Sequence, residues 1–374
     1  MSRHIDGGGM KEASRASSGS WLLYGANGFT GRLIAAESEE RGVAPILAGR
    51  NERAVRVIAE PLGFEWRIFR LDDPVGLARG LDGVDAVLLA AGPFSGTSAP
   101  VVEACLAGGV HYLDITGEIP VFEAVFARDG EARERDLALL PGVGFDVVPS
   151  DCLAASLVEA LPDADRLVLA IAPGSARTSA GTARTIVEGL ERGGAIRRGG
   201  RLVREPLARH RVVIPFADRP RHSVSVPWGD LATAWRSTGI PNIVVMMAAP
   251  EGIAPALRVL EAGSRILGVG PVRRLAQRAV DRWVEGPDEE TRLTGRSRLW
   301  GRATAPDGRQ VEGTAITPES YRFTALAAVE SARRVAADPA GYRGALTPSK
   351  AFGSGFLSGL PGCDLRIGEI TTGG

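Results

Sequence analysis

The first 150 residues alternate short apolar runs with longer amphipathic segments. The apolar runs predict strands at residues 21–24, 45–48, 66–70, 85–91 and 111–115. The segments between them have helical spacing, over residues 52–62, 74–81, 98–107 and about 120–135. Residues 86–91 are continuously apolar, as in strands that are buried on both faces of a parallel sheet. This alternation predicts an α/β fold, with an N-terminal Rossmann domain built on a doubly wound parallel sheet over residues 20–150.

The second half has a different pattern. Residues 166–172 form an apolar strand, and polar and apolar positions alternate over 211–215 and 222–226. Residues 297–317 divide around Pro306-Asp307-Gly308, a hairpin turn signal, and a long helical apolar stripe follows over 320–337. These elements predict a second, α+β domain with a mixed sheet, packed against the first domain.

The domain organisation follows from these patterns. We expect a disordered Gly- and Ser-rich tail over residues 1–19, the Rossmann domain over 20–150 and the second domain over 151–345. The C-terminal segment 346–374 is expected to pack back on the Rossmann domain.

A glycine-rich turn follows the first strand directly. Its sequence is Gly25-Ala26-Asn27-Gly28-Phe29-Thr30-Gly31, and helical spacing begins after it. Glycines at this spacing let the backbone approach a pyrophosphate, whose charge sits on the N–H groups at the start of the helix. An ordinary glycine turn before a helix is the alternative. The second strand, one helix length later, closes a βαβ unit and favours a dinucleotide site.

The end of the second strand indicates which dinucleotide binds. An NAD site usually has an acidic residue there, whereas this chain has Gly49-Arg50-Asn51. The guanidinium of Arg50 would bind a 2′-phosphate, with Asn51 beside it, so we predict NADP(H). The alternative for Arg50 is a solvated surface arginine.

Two further segments lie where such domains contact the cofactor. Asp72 follows the third strand, where it would contact the adenine or, as an alternative, cap the next helix. Ala91-Gly92-Pro93-Phe94 follows the fourth strand, at the carboxyl edge beside the glycine turn. We predict that this segment is a loop whose backbone passes under the nicotinamide ribose.

Composition narrows the classes of partner. The 374 residues carry 44 basic and 44 acidic side chains, so there is no electrostatic case for nucleic acid. Three widely spaced cysteines fit a reducing compartment and predict neither a disulfide framework nor a metal site. No apolar run reaches the length of a membrane span, so we expect a cytoplasmic protein. The basic amphipathic helix 271–284 has two interpretations, peripheral contact with a membrane or substrate entrance, and an ordinary helix with a solvated arginine face.

Five motifs, in order along the chain, resemble the saccharopine dehydrogenase-like reductases, and in particular their short lipid-associated branch with the trans-acting enoyl reductases. They are the glycine turn, Ala48-Gly49-Arg50-Asn51, Ala91-Gly92-Pro93-Phe94, Tyr112-Leu113-Asp114-Ile115-Thr116-Gly117-Glu118 and Gly144-Phe145-Asp146-Val147-Val148-Pro149-Ser150-Asp151. The resemblance implies NADPH-dependent hydride transfer to a C=C or C=N bond of an apolar, acyl or enoyl lipid substrate. It also implies a homodimer formed through the second domain.

The catalytic residues are less evident. Only Lys11 and Lys350 are lysines, which disfavours Schiff-base chemistry, and no Tyr-x-x-x-Lys pair of the short-chain dehydrogenases occurs. Reduction of a double bond still needs a proton donor. The candidates near the expected nicotinamide are Tyr112, Asp114, Glu118, Asp146, Ser150 and Asp151. We prefer Tyr112 and Asp146, because both lie at or just past the carboxyl ends of strands. Each candidate has a structural alternative, and Ser150 and Asp151 are expected to cap a helix over 152–161.

Three functions remain open at this point. The first is an NADPH-dependent reductase of an apolar substrate. The second is a reductase of an amino-acid imine, which needs arginines that converge on carboxylates, such as Arg177, Arg184 and Arg197. The third is a non-catalytic NADP-binding scaffold, in which protein side chains would fill the crevice above Gly92 and Pro93.

Overall fold

The structure is a computed structural model that describes residues 19–175, 177–179, 183, 193–267 and 286–372. Almost all of the tail expected to be disordered lies outside the described residues. The basic helix expected over 271–284 and Arg184 also lie outside them.

Strands and helices alternate over the first half of the chain, as the sequence predicts. The strands are β1 Trp21–Tyr24, β2 Ile46–Gly49, β3 Trp66–Ile68, β4 Ala86–Leu89, β5 His111–Asp114, β6 Ala138–Leu140, β7 Arg166–Ala172, β8 Gly194–Arg198, β9 Arg201–Glu205, β10 Arg211–Pro215, β11 Pro220–Ser225, β12 Asn242–Ala248, β13 Arg296–Thr304, β14 Arg309–Pro318, β15 Gly344–Ala345, β16 Asp364–Ile367 and β17 Thr371–Thr372. The helices are α1 Phe29–Glu40, α2 Glu52–Leu62, α3 Pro74–Gly80, α4 Phe94–Gly108, α5 Ile119–Phe126, α6 Asp129–Glu134, α7 Val148–Ala160, α8 Asp230–Thr238, α9 Ile253–Leu267, α10 Glu289–Thr294, α11 Ser320–Ala337 and α12 Pro348–Phe352. No helix in these described ranges has the length and apolar character that crossing a bilayer requires.

The first sheet is a seven-stranded parallel sheet in the order β15-β6-β5-β4-β1-β2-β3. The strand order reverses at β1, which pairs with β4 on one side and β2 on the other. Such a reversal separates the loops at the carboxyl edge and opens a crevice there. Both β1 and β4 are buried along their whole length, as their apolar sequences predict. The predicted Rossmann sheet is confirmed.

The second sheet is mixed and has the main order β10-β11-β12-β7-β13-β14-β16, with β8, β9 and β17 attached at its sides. Strands β7 and β12 pair in parallel, whereas β13 and β14 form an antiparallel hairpin around the predicted Asp307-Gly308 turn. Helix α7 packs its apolar face on this sheet, where Leu153 and Leu157 are fully buried. The predicted mixed α+β architecture is therefore confirmed.

The sheets divide the chain differently from the ranges expected from the sequence. Helix α11, expected in the second domain, has Ala328 and Ala332 in the core against the first sheet and Phe323 in the core of the second. Strand β15 belongs to the first sheet, whereas β16 and β17 pair with β14 of the second. The C-terminal residues therefore return to both sheets, because α11 lies between the two cores.

Three predicted helix boundaries were wrong. Helix α4 begins at Phe94 instead of residue 98, so Phe94, the last residue of the predicted loop over Ala91–Phe94, already lies in the helix. The helix expected over 120–135 is divided into α5 and α6. Helix α7 begins at Val148, which puts Ser150 and Asp151 in its first turn and not at its N-cap.

Candidate active site

The glycine turn has the geometry of a dinucleotide cradle. Gly25 has a φ of +93°, and a Cβ there would lie 2.9 Å from the backbone of Ala90 and Ala91. A Cβ on Gly31 would lie 2.2 Å from the Gly25 carbonyl oxygen, so α1 packs tightly against the turn. Gly28 is different, because its Cβ would approach only the Gly25 oxygen, at 3.2 Å. The first and third glycines thus allow the tight turn and the helix packing, and the second leaves its outer side open to a ligand.

The N-terminus of α1 is suited to an anion. Its N-cap is Gly28, and no side chain caps the helix. The helix dipole and the N–H groups of this first turn therefore point toward a diphosphate bound against the turn. Asn27, Phe29 and Thr30 are partly exposed around it, as expected of residues at a binding surface.

The second domain covers one side of this turn through Phe29. The Phe29 ring packs edge-on against Tyr321, with 5.1 Å between ring centroids, and the Arg292 guanidinium lies 5.7 Å from its centre. The Tyr321 hydroxyl accepts a hydrogen bond from the Ser179 amide at 2.6 Å. Phe29 thus connects the cofactor turn with helix α11 and with the segment that follows β7.

A basic recess lies at the ends of β2 and β3. It has a volume of about 780 Å³, and Arg50, Arg53, Arg56 and Arg70 are in its lining. Arg56 is held by glutamates of its own helix, and Arg70 forms a bidentate pair with Asp72 at 2.8 and 2.7 Å. Within the described ranges, neither Arg50 nor Arg53 has a carboxylate at ion-pair distance. The exposed Arg50 guanidinium can therefore bind a phosphate in this recess.

Two polar residues beside the recess have local roles. The Asn51 side chain accepts a hydrogen bond from the Ala54 amide at 3.1 Å and caps α2. The alternative that Asp72 caps α3 was wrong, because Asp73 accepts from the Gly76 amide instead. The hydrogen bonds from Arg70 lower the pKa of Asp72, which stays exposed near Arg50.

The segment after β4 lies beside the glycine turn, as predicted. Ala91 is close enough to limit Gly25 to glycine, and Gly92 is exposed. The Phe94 side chain is buried in the core, so only the backbone of this segment faces the crevice. Its amide is occupied, because the Glu118 carboxylate accepts from the Phe94 and Ser95 amides at 2.8 and 3.0 Å. Glu118 is therefore the carboxylate that neutralises the N-terminus of α4.

Tyr112 and Asp114 form a buried structural pair under the crevice. Neither side chain is exposed, and the Tyr112 hydroxyl donates to an Asp114 oxygen at 2.6 Å. The other oxygen of Asp114 accepts from the Thr116 and Gly142 amides, at 2.9 and 2.8 Å. Burial raises the pKa of Asp114 to about 6, although these hydrogen bonds oppose the shift. The pair ties the loops after β5 and β6 together.

Asp146 is the candidate proton donor that stays within reach of solvent. It lies in the loop after β6 and is partly exposed. A Cβ on Gly117 would be 2.4 Å from its Oδ2, so the carboxyl packs directly on the glycine of the neighbouring loop. Burial raises the pKa of Asp146 to about 6, which keeps a protonated fraction near neutral pH.

Asp151 and Ser150 are held within the protein. Asp151 is fully buried, and it accepts hydrogen bonds from the Ser237 hydroxyl and, at 2.7 Å, from the Ser349 amide. The Ser150 hydroxyl donates to the Val147 carbonyl at 3.0 Å. Both residues thus fix the first turn of α7 instead of lining the crevice.

Sequence reasoning missed the second-domain residues that meet these loops. The Trp228 indole N–H donates to the Asp146 carbonyl at 2.9 Å, and the fully buried Asp230 lies close to Asp146 and Asp151. An acidic residue in the first turn of a helix is common, so Asp230 carried no signal of its own. Tyr321 likewise looked like an ordinary residue of an amphipathic helix.

Comparison with known proteins agrees with this geometry. Residues 21–139 match the family model described as the saccharopine dehydrogenase NADP-binding domain. A trans-acting enoyl reductase of Mycobacterium bovis is 28% identical over 414 residues, which cover 93% of this chain and 96% of the relative. A trans-acting enoyl reductase of Mycobacterium ulcerans is 25% identical over 402 residues, covering 91% and 95%. Apo saccharopine dehydrogenase from Saccharomyces cerevisiae has the same fold, with a TM-score of 0.63 over 94% of this chain and 100% of that chain at 12% identity.

The family match covers the segment that carries the glycine turn, the arginine recess and the crevice. The residues present also fit the cofactor, because the turn is open only at Gly28 and a guanidinium lies where a 2′-phosphate binds. The resemblance and the cofactor predicted from the motifs are both confirmed. Residues 21–139 match the saccharopine dehydrogenase NADP-binding domain, and the chain is an NADP-dependent oxidoreductase.

Proposed function

We propose that this chain reduces a carbon–carbon double bond conjugated to a carbonyl group, on an apolar acyl substrate, and that Asp146 is the proton donor. The observation that carries the proposal is Asp146 itself, a partly exposed residue at the carboxyl edge of the first sheet whose carboxyl packs on Gly117 and has its pKa raised by burial to about 6. The trans-acting enoyl reductases that align with nearly the whole chain support the enoyl substrate class.

The cofactor would be held by the turn and the recess. The amides at the start of α1 would bind the diphosphate, and Arg50 would bind the 2′-phosphate, with Asn51 and Asp72 beside it. The backbone of Ala91, Gly92 and Pro93 would border the nicotinamide half. NADPH supplies the hydride when it is bound.

The protein's own chemical contribution would be to donate a proton to the substrate. After a hydride reaches the β-carbon, the α-carbon needs one proton, which Asp146 would donate from its carboxyl group. The carboxylate that results is reprotonated from solvent, to which Asp146 is partly exposed. Tyr112, our other candidate, is fully buried and its hydroxyl donates to Asp114. We therefore assign Tyr112 the role of holding Asp114 in place.

Two observations weigh against the alternative functions. Arg177 pairs with Asp288 at 3.2 Å, and the buried Arg197 donates to the Gly200 carbonyl and to Glu123. In the described part of the chain, these two arginines therefore do not converge on a substrate carboxylate as an imine reductase requires. A scaffold would need a filled crevice, whereas a Cβ on the exposed Gly92 would meet only Phe94 atoms, at 3.4 Å or more.

The test is NADPH oxidation by the purified chain with a long-chain enoyl thioester. A 2-oxo acid with an amino acid serves as the imine-forming substrate, and the saturated thioester serves as the matched blank. We expect NADPH to be oxidised with the enoyl thioester and with neither of the other substrates. With the enoyl thioester, NADH should be oxidised much more slowly than NADPH. Oxidation with the imine mixture would favour the amino-acid reductase, and NADPH binding without turnover of either substrate would favour the scaffold.

A further inference from the structure

A short segment of the second domain contacts the loop that carries Asp146. This segment is Trp228-Gly229-Asp230, at the start of α8. The Trp228 indole N–H donates to the Asp146 carbonyl at 2.9 Å. A Cβ on Gly229 would lie 2.6 Å from the Phe122 ring and 3.2 Å from the Gly117 oxygen, so the segment also packs on the loop against which the Asp146 carboxyl rests.

Asp230 is an unusual residue to bury at this place. Its side chain has no exposure, and neither oxygen makes a hydrogen bond of normal geometry with a described residue. The Ser150 hydroxyl lies beside it, but its own hydrogen bond goes to the Val147 carbonyl. A buried carboxylate without firm donors is costly, so the neutral acid is the stable form.

The neighbouring carboxyl groups also favour the protonated form of Asp230. Burial raises the pKa of Asp230 well above its ordinary range, and the carboxyls of Asp151 and Asp146 raise it further. Asp151 is already satisfied by Ser237 and Ser349 and has no need of a proton from Asp230. The Ser150 oxygen beside it can then accept a hydrogen bond from the Asp230 hydroxyl.

We propose that Asp230 is a positioning residue, whose protonated carboxyl donates a hydrogen bond to Ser150 and so holds the first turn of α7 and the Asp146 loop in place. This proposal rests on the function proposed for Asp146. Two contacts, one on the Asp146 carbonyl and one on Ser150, would then hold the segment from Asp146 to Ser150 at both of its ends. Trp228 and Asp230 come from one helix start, so the second domain sets the position of the acid.

The experiment compares Asp230→Asn with Asp230→Ala. The asparagine amide can still donate to Ser150, whereas alanine cannot. The first readout is the pH titration of tryptophan fluorescence, since the Trp228 indole donates to the backbone carbonyl of Asp146. Asp146→Asn marks which transition belongs to the Asp146 carboxyl. The second readout is kcat with an enoyl thioester, and the third is the Kd for NADPH.

We expect Asp230→Asn to keep the fluorescence midpoint near 6 and to keep kcat. In Asp230→Ala the midpoint should fall toward 3.8, the ordinary value, and kcat should fall about tenfold or more with the NADPH Kd unchanged. An unchanged midpoint and kcat in Asp230→Ala would overturn the proposal, as would an equal loss in Asp230→Asn. If Asp230→Ala does not fold, Trp228→Phe replaces it and should lower kcat without raising the KM for NADPH. If the wild type has no enoyl reductase activity but the midpoint still shifts, the proposed function fails and the positioning role stands.

Discussion

Replacing Asp146 with asparagine should make the protein more stable and less active at the same pH. The carboxyl titrates near 3.8 when it is unfolded and near 6 in the folded protein. The native state therefore binds more protons than the unfolded state between these values, and the free energy of unfolding falls as the pH rises through this window. One pKa unit corresponds to about 1.36 kcal/mol, so the penalty above pH 6 is at most about 3 kcal/mol.

Asparagine removes this penalty because it has no charge to desolvate. The gain in the free energy of unfolding should be near zero below pH 3.8 and should approach about 3 kcal/mol above pH 6. Activity should fall about 10²- to 10⁴-fold, the usual contribution of a general acid. Urea unfolding across this pH range measures the first quantity, and NADPH oxidation with the enoyl thioester measures the second.

Asp151→Asn is the matched control, since Asp151 is a buried aspartate in the first turn of α7, five residues further along the chain, and burial also raises its pKa. Its two oxygens accept from Ser237 and Ser349, so the amide leaves one donor unsatisfied and should destabilise the protein at neutral pH. A gain in Asp146→Asn that does not depend on pH would refute the desolvation argument. Full activity in that variant would refute the assignment of the proton donor.

The other predictions concern the cofactor site. Gly28→Val should reduce NADPH affinity at least about 100-fold and lower the Tm less than Gly31→Ala does, since its φ of −72° suits any residue and its Cβ would lie 3.2 Å from the Gly25 oxygen. Gly31→Ala should cost about 1–3 kcal/mol because its Cβ would lie 2.2 Å from the same oxygen. The reverse pattern would contradict the cradle. Arg50→Asp should raise the Kd for NADPH about 10- to 100-fold and leave that for NADH nearly unchanged, and an equal loss for both would exclude a 2′-phosphate contact. Glu118→Gln should lower stability by about 2 kcal/mol and weaken NADPH binding, because one α4 amide loses its acceptor; an unchanged Tm would show that the carboxylate is dispensable there.

The cofactor half could be predicted because its signals are local. Glycine spacing, strand length and the arginine after β2 all lie within short segments, and the structure has the expected turn, strands and recess there. Even the limits of α2 agree with the prediction, because Asn51 caps it at one end and Gly63 ends it in a left-handed conformation at the other.

The wrong boundaries have a common physical cause. Helix α4 begins four residues early because its first amides are bonded by Glu118, which is 24 residues from Phe94 in the chain. The N-cap position of α4 has none of the usual capping residues Ser, Thr, Asp or Asn that would have indicated where the helix begins. Helix α7 also lacks a side-chain cap, and its available signal was Pro149 near its N-terminus, which the expected N-caps at Ser150 and Asp151 obscured.

The acid site could not be predicted for a deeper reason. The Asp146 carboxyl packs on Gly117 from one loop of the first sheet, and the Asp146 carbonyl is held by Trp228 from the second domain, 82 residues away in the chain. A sequence motif can indicate that a carboxyl group belongs to the site, but it does not show which distant residues will pack around that group. Because α11 lies in both cores, its packing fixes the two sheets, and with them these two contacts of Asp146, against each other. Substitutions in the second domain can therefore change the pKa of the acid without touching the cofactor turn, which allows such a chain to adjust its proton chemistry separately from its binding of NADPH.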